Sequence, residues 1–137
     1  MKKKILIVAA KYYKDIYTPL LSTAISTLGE DKQCTYNKLV VPGVFEIPVV
    51  ISRNIKNYDG FIALGCVIKG ETPHFDFISK STTDAIMKLS IENKKPIGNG
   101  IITCLNKSQA EVRSNKKGIE AAKAVISILS QWNEFTV

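Results

Sequence analysis

The single histidine of the chain, His74, closes a short polar run, Lys69-Gly70-Glu71-Thr72-Pro73-His74, that directly follows the apolar stretch Phe61 to Ile68. Those residue types suit an anion and a proton. Gly70 lets the backbone approach a phosphate or carboxylate closely, Thr72 adds a hydroxyl donor, and His74 can move protons near neutral pH. A surface loop with an incidental histidine has the same composition, and both readings stay open on these residues alone. Three further groups invite the same double reading. Tyr12-Tyr13 is either packing or a stacking platform for a flat heterocycle. Glu46 either complements a helix dipole or accepts hydrogen bonds from ligand hydroxyls beside Phe45. Arg113 and Lys117, four apart, share one helix face as a phosphate clamp, the arginine bidentate, or as solvated cations.

The elements that must position these groups follow from hydrophobic period and turn chemistry. Lys4–Ala10 and Phe61–Ile68 are continuous apolar runs of strand length, the pattern of strands buried on both faces of a parallel sheet. Lys11 to Asp15 forms the loop after the first of them. Ile16, Leu20, Leu21, Ala24, Ile25 and Leu28 then recur at helical spacing and stop at Gly29, with Pro19 expected in the first turn, where it is tolerated. Thr35–Val41 is a second strand, ended by Pro42-Gly43, and a second helix begins at Val44 and runs to near Asn57. A third helix, from Phe75 to near Glu92, turns Ile78, Thr82, Ala85, Ile86 and Leu89 inward. Ile97–Cys104 is a fourth strand whose Gly98 and Gly100 mark a bulge or the close approach of another backbone. Asn106 or Ser108 caps a last helix with Ile119, Ala122, Val125, Ile126, Leu129 and Trp132 on its apolar side.

This β-α-β-α-β-α-β-α order, with short connections, predicts one domain over residues 1–137. It is an α/β three-layer sandwich with a mainly parallel four-stranded sheet flanked by helices. Ligands of open α/β sheets bind beyond the carboxyl ends of the strands. Tyr12-Tyr13, Val44-Phe45-Glu46 and Lys69 to His74 should therefore meet on one rim.

Composition narrows the classes. A chain of 137 residues, 45% hydrophobic and 23% charged, can build an ordinary globular core without staples. The start MKKKILIVAA has the charge of a signal peptide, but its apolar run ends at Lys11 with no small-residue cleavage site, so it reads as a strand. No apolar segment nears the ~18 residues needed to span a membrane. Cys34, Cys66 and Cys104, odd in number and far apart, point to a reducing cytoplasm and to small core fillers rather than disulfides. With one histidine, no metal site is expected. The formal charge of +7 suits anionic ligands. The lysines are scattered without interleaved aromatics, so a solvated basic surface that steers phosphorylated molecules is expected, and no nucleic acid partner.

Three motifs then occur in order: VPGVFEIP at Val41–Pro48, ALGCVIKGETPHFDF at Ala63–Phe77, and N-x-x-Q-A-x-x-R from Asn106 to Arg113 followed by KKG at Lys116–Gly118. Together they closely resemble lumazine synthase, over nearly the whole chain. The resemblance implies a flavodoxin-like fold and a transferase of riboflavin biosynthesis. That enzyme condenses 5-amino-6-(D-ribitylamino)uracil with 3,4-dihydroxy-2-butanone 4-phosphate to give 6,7-dimethyl-8-ribityllumazine, phosphate and water, without metal or organic cofactor. It implies that Tyr12 stacks on the pyrimidine, and that Val44, Phe45 and Glu46 border the ribityl chain. The backbone of Cys66, Val67 and Ile68 would hold the ring edge. Glu71, through its N–H, and Thr72 would bind the butanone phosphate, and His74 would transfer protons. Arg113 and Lys117 match phosphate-binding cations that reach in from a neighbouring subunit.

The chain departs from the family pattern in several places. Tyrosine replaces the frequent phenylalanine or tryptophan at the stacking position, with the π-face kept. Asn99 stands where many members place a second aromatic from the adjacent subunit. The segment between Arg113 and Gly118 is shorter by about four residues, one helical turn, which keeps the helical phase of Lys117. The Glu71 side chain should point away from a phosphate bound at its N–H. The resemblance also implies a homo-oligomer with sites between subunits: a pentamer as minimal unit, with an icosahedral shell of twelve pentamers left open. The chain begins at its first strand, without the extension that many shell-forming members carry. Two other readings compete, a non-catalytic lumazine- or riboflavin-binding relative and a basic nucleic-acid-binding module. The first predicts loss of His74 or Arg113, and both are present; the second needs a continuous basic face.

Overall fold

The two apolar runs become neighbours in the middle of a four-stranded sheet. β1 (Lys3–Ala10) and β3 (Gly60–Ile68) lie side by side, flanked by β2 (Cys34–Val41) and β4 (Ile97–Cys104) in the order β2-β1-β3-β4, with every neighbouring pair parallel. The structure, a computed structural model, describes residues 2–71 and 73–134. Central position explains composition: Ile5 to Ala10 and Gly60 to Cys66 are buried throughout, whereas edge strand β2 is exposed from Thr35 to Val40.

Helices cover both faces, giving the expected three layers. α1 (Lys14–Gly29) and α4 (Lys107–Glu134) pack against Ile5, Ile7, Ala9, Ile62 and Leu64. A 3₁₀ turn (Val44–Glu46), α2 (Ile47–Arg53) and α3 (His74–Asn93) cover the side carrying Leu6, Val8, Phe61 and Ala63. The strand period of two sends alternate residues to the two faces, so one apolar run feeds two cores.

The first face is packed to backbone contact. The β3–β4 register runs unbroken from Phe61↔Ile97 to Ile68↔Cys104, so Gly98 and Gly100 mark a close approach and not a bulge. A Cβ on Gly98 would meet the Ala121 carbonyl of α4, and one on Gly100 would crowd Leu64 and Ala121. Gly118 does the same between helices, where a Cβ would run into Thr23 Oγ1 and the Leu20 carbonyl of α1. An isolated glycine inside a helix costs about 1 kcal/mol against alanine, and here it permits the contact of α4 with α1.

Several boundaries differ from the sequence expectation. α1 starts earlier than Ile16, because the Tyr13 carbonyl accepts the N–H groups of Ile16 (3.0 Å) and Tyr17 (2.8 Å). Pro19 therefore lies inside the helix, beyond its first turn, where it forgoes one ladder bond. α2 stops at Arg53, and three-residue turns (Asn54 N–H to Ile51 C=O, Asn57 N–H to Asn54 C=O, both 3.0 Å) carry the chain on to Asn57. α3 has the expected inner face, but only Thr82 and Ile86 are buried, and Ile78, Ala85 and Leu89 are half-covered. Asn106 is the cap of α4: its Oδ1 accepts the Gln109 N–H at 2.9 Å, while Gln109 Oε1 takes the Leu105 N–H at 2.9 Å. The side chain of Trp132 lies outside the described residues.

Candidate active site

The strand order reverses between β1 and β3: the chain moves from β1 outward to β2, then returns across β1 to add β3 and β4. Loops at the carboxyl ends of such strands diverge to opposite faces and leave a crevice. A cleft of about 620 Å³ opens there, lined by four chain segments.

The first segment is the loop after β1. The Lys11 N–H donates to the Val41 carbonyl at 3.0 Å, and Tyr13 caps the start of α1, so both ends are tied. The structure divides the two tyrosines between the readings that sequence left open. Tyr12 is 75% exposed at the mouth, while Tyr13 is half-buried and packs on the α1–α4 core. Burial first, then the Cys66 thiol, the Tyr12 phenol and the Cys104 thiol, raise the Tyr13 phenol above its ordinary value.

The second segment is the 3₁₀ turn. Val44 is buried beside Gly65, where a Cβ would come within 2.6 Å of Val44 Cγ2. That close seat turns Phe45, 64% exposed, and half-buried Glu46 onto the cleft. One carboxylate oxygen of Glu46 has a structural duty: Oε1 accepts the Gly43 N–H at 3.0 Å while the Glu46 N–H donates to the Gly43 carbonyl at 3.2 Å. This pair anchors the side chain at the cleft wall.

The third segment is the end of β3. Cys66, Val67, Ile68 and Gly70 line the cleft, and the Lys69 N–H bonds the Cys104 carbonyl at 2.9 Å, extending the pairing with β4. Burial, then the neighbouring Cys104 thiol, push the Cys66 thiol up to about 12, so it is protonated at neutral pH. The fourth segment is the first two turns of α3. Pro73 precedes the helix, its carbonyl accepting the Asp76 N–H at 3.1 Å. His74, Phe75, Phe77, Ile78 and Ser81 face the cleft.

Residues 2–133 match the sequence model of a family described as 6,7-dimethyl-8-ribityllumazine synthase. The chain belongs to that family. Proteins named 6,7-dimethyl-8-ribityllumazine synthase from Bartonella tribocorum and Bartonella henselae are 39% and 41% identical to it, each over 98% of this chain and 95% and 91% of their own lengths. One from Agrobacterium fabrum is 40% identical over 93% of both chains.

Of the residues that the lumazine synthase resemblance singled out, Tyr12, Val44, Phe45, Glu46, Cys66, Val67, Ile68 and His74 come together in the cleft. Glu71, Asn99, Arg113 and Lys117 do not line it, and Thr72 lies outside the described residues. Asn99 is exposed on edge strand β4, where its Oδ1 accepts the Ile101 N–H at 3.0 Å. Arg113 is exposed and Lys117 half-buried on α4, in the layer on the other side of the sheet from α2 and α3. Sequence reasoning missed the cleft positions of Phe75, Phe77, Ile78 and Ser81. The signal was available: residues 74, 77, 78 and 81 fall at the i, i+3, i+4, i+7 spacing of one helix face. Phe77, 69% exposed, is too apolar to be an indifferent surface residue there. Among the described residues, no group of His, Cys, Asp and Glu is placed to hold a metal ion, and no helix is long and apolar enough to cross a membrane.

Proposed function

We propose that this member of the family carries out the synthase reaction in the switch-point cleft, joining the ribitylamino-pyrimidine to the four-carbon ketone phosphate. The observation that carries the reading is the convergence of three separate loops, after β1, β2 and β3, with the start of α3 on one cleft. The aryl amine attacks the ketone and the carbinolamine loses water to an imine. Phosphate then leaves by elimination, and attack of the ribitylamino nitrogen on the remaining carbonyl closes the ring with loss of a second water. Each step moves protons, and His74 at the cleft wall is the group we assign to them. Holding two substrates in register contributes much of the remainder through orientation.

Tyr12 offers its exposed face to the pyrimidine, the backbone of Cys66, Val67 and Ile68 addresses the ring edge, and Val44, Phe45 and Glu46 border the ribityl chain. The second carboxylate oxygen of Glu46 is the acceptor for its hydroxyls. Phosphate would lie against Gly70, Glu71 N–H, Thr72 and the start of α3, where the helix dipole favours an anion. Among the described residues, a Cβ at Gly70 would meet nothing within 4 Å, and its φ is not positive. Neither packing nor backbone conformation asks for glycine there, which supports a ligand's close approach.

Among the described residues the lining contains no lysine or arginine, yet a leaving phosphate dianion needs cationic stabilisation. We assign Arg113, with Lys117, to the site of an adjacent copy, and infer a homo-oligomer, with a pentamer as its minimal unit. The exposed Tyr36, Leu39, Val40, Phe45, Val49 and Phe77 supply apolar surface for such contacts. Asn99, at the exposed β4 edge, would be a second contribution across that boundary. Free thiols at Cys34, Cys66 and Cys104 suit a reducing compartment, and we place the protein in the cytoplasm.

The test is to follow the lumazine chromophore after mixing the two substrates, with protein-free controls. His74→Ala should lower kcat by about 10²-fold or more with a smaller change in KM, and Arg113→Ala should chiefly raise KM for the phosphorylated substrate. Unchanged phosphate-substrate kinetics in Arg113→Ala would remove its assigned role. Wild-type protein that binds the ribityl-pyrimidine without accelerating the reaction would make this a binding relative.

A further inference from the structure

We propose that Tyr13 is a positioning residue for Tyr12, setting the plane of the ring on which the flat substrate stacks. The proposal rests on the reading of Tyr12 as the stacking platform. Tyr12 stands in the loop between β1 and α1 and is 75% exposed, so the chain offers its ring few walls. A platform that must be ordered on binding loses affinity for each rotor it freezes. The ring that meets it is Tyr13, with centroids 4.9 Å apart and planes at 83°, the edge-to-face arrangement that aromatic pairs prefer.

Tyr13 is itself held at both ends. Its carbonyl takes the Ile16 and Tyr17 N–H groups, which fixes its backbone to the first turn of α1. Its side chain packs on the core between the sheet and the α1–α4 layer. Burial and nearby ionisable groups keep its phenol protonated, so it brings no charge to the pyrimidine pocket. The pair therefore transmits the rigidity of the core to a ring that reaches into solvent. Ring atoms make this contact, which leaves the Tyr13 hydroxyl dispensable for it and separates this role from hydrogen bonding to substrate.

A double-mutant cycle on the full-length protein tests this, read as KM and kcat for the ribitylamino-pyrimidine, with thermal denaturation as a folding control. Tyr12→Ala should raise KM about 10-fold or more through lost stacking. Tyr13→Met should raise KM about 3- to 10-fold with kcat nearly kept, and Tyr13→Phe should restore KM to within about 2-fold. In the Tyr12→Ala background, Tyr13→Met should change KM no further. An equal rise in both backgrounds would mean that Tyr13 acts on substrate or fold directly, and would overturn the proposal while leaving the Tyr12 reading intact. An unchanged KM in Tyr12→Ala would overturn the stacking reading itself, and this proposal with it. Tyr13→Trp, which keeps bulk but alters the ring edge, completes the same cycle if Tyr13→Met does not fold.

Discussion

The two faces of the sheet are built to different standards. On the α1–α4 face, three glycines bring backbone against backbone or side chain, and Ile16, Leu20, Ala24, Ala122 and Val125 are fully or almost fully buried. On the α2–α3 face, α3 buries only Thr82 and Ile86, and Phe77, Met87 and Ile91 stay exposed. Two hydroxyls, Ser79 Oγ and Thr82 Oγ1, are buried there without a hydrogen-bond partner. The cleft opens at the carboxyl rim of this looser face, while its back wall, Tyr13 and Cys66, belongs to the tighter one. One face gives rigidity and the other gives access, and the candidate site draws on both.

That contrast can be broken at its stiffest point. Gly118→Val would force branched carbon into Thr23 and the Leu20 carbonyl, and should cost about 3 kcal/mol or more by urea denaturation. A variant as stable as wild type would show that α1 and α4 separate readily, contrary to the close packing described. Alkaline pH should act next. The Cys66 thiol ionises at about 12 in the folded protein against an ordinary value near 9, so between these the unfolded chain holds fewer protons. Stability should be fully present below pH 9 and fall as pH rises towards 12, and Cys66→Ala should flatten that decline in a pH series of melts. The smallest effect should be on the looser face. Thr82→Val removes a buried hydroxyl that lacks a partner and should raise stability by about 1 kcal/mol. A loss of similar size would mean that the hydroxyl finds a partner in solution.

Much of this was legible in the sequence, for identifiable reasons. Strands β1 and β3 are apolar on both faces, and only a central position in a parallel sheet makes that pattern stable. The glycine pair in β4 left a bulge and a close approach open, and the unbroken β3–β4 register with Ala121 against Gly98 decides for the approach. The start of α1 was hidden because Tyr13 supplies its carbonyl and no capping side chain marks the boundary. Gly118 was noticed as part of a motif, yet its contact with α1 joins residues far apart in the chain, which no local pattern encodes. Within the site, the loop residues were legible by chemistry, whereas Phe77, Ile78 and Ser81 read as ordinary helix. The separation of Arg113 from the cleft is a tertiary fact: i, i+4 spacing puts it on one face with Lys117 but does not say which side of the sheet that face occupies.

In the shared site proposed above, the cleft of one copy would be completed by Arg113 of another. The direct measurement is complementation: His74→Ala and Arg113→Ala proteins are made separately, dissociated, mixed and reassembled, and lumazine formation is followed at low concentration of the phosphorylated substrate. The mixture should regain activity above the sum of its parts, because some mixed sites would pair an intact His74 with an intact Arg113. Mixed oligomers no more active than the two variants apart would contradict it, and would return Arg113 to the role of a solvated helix cation.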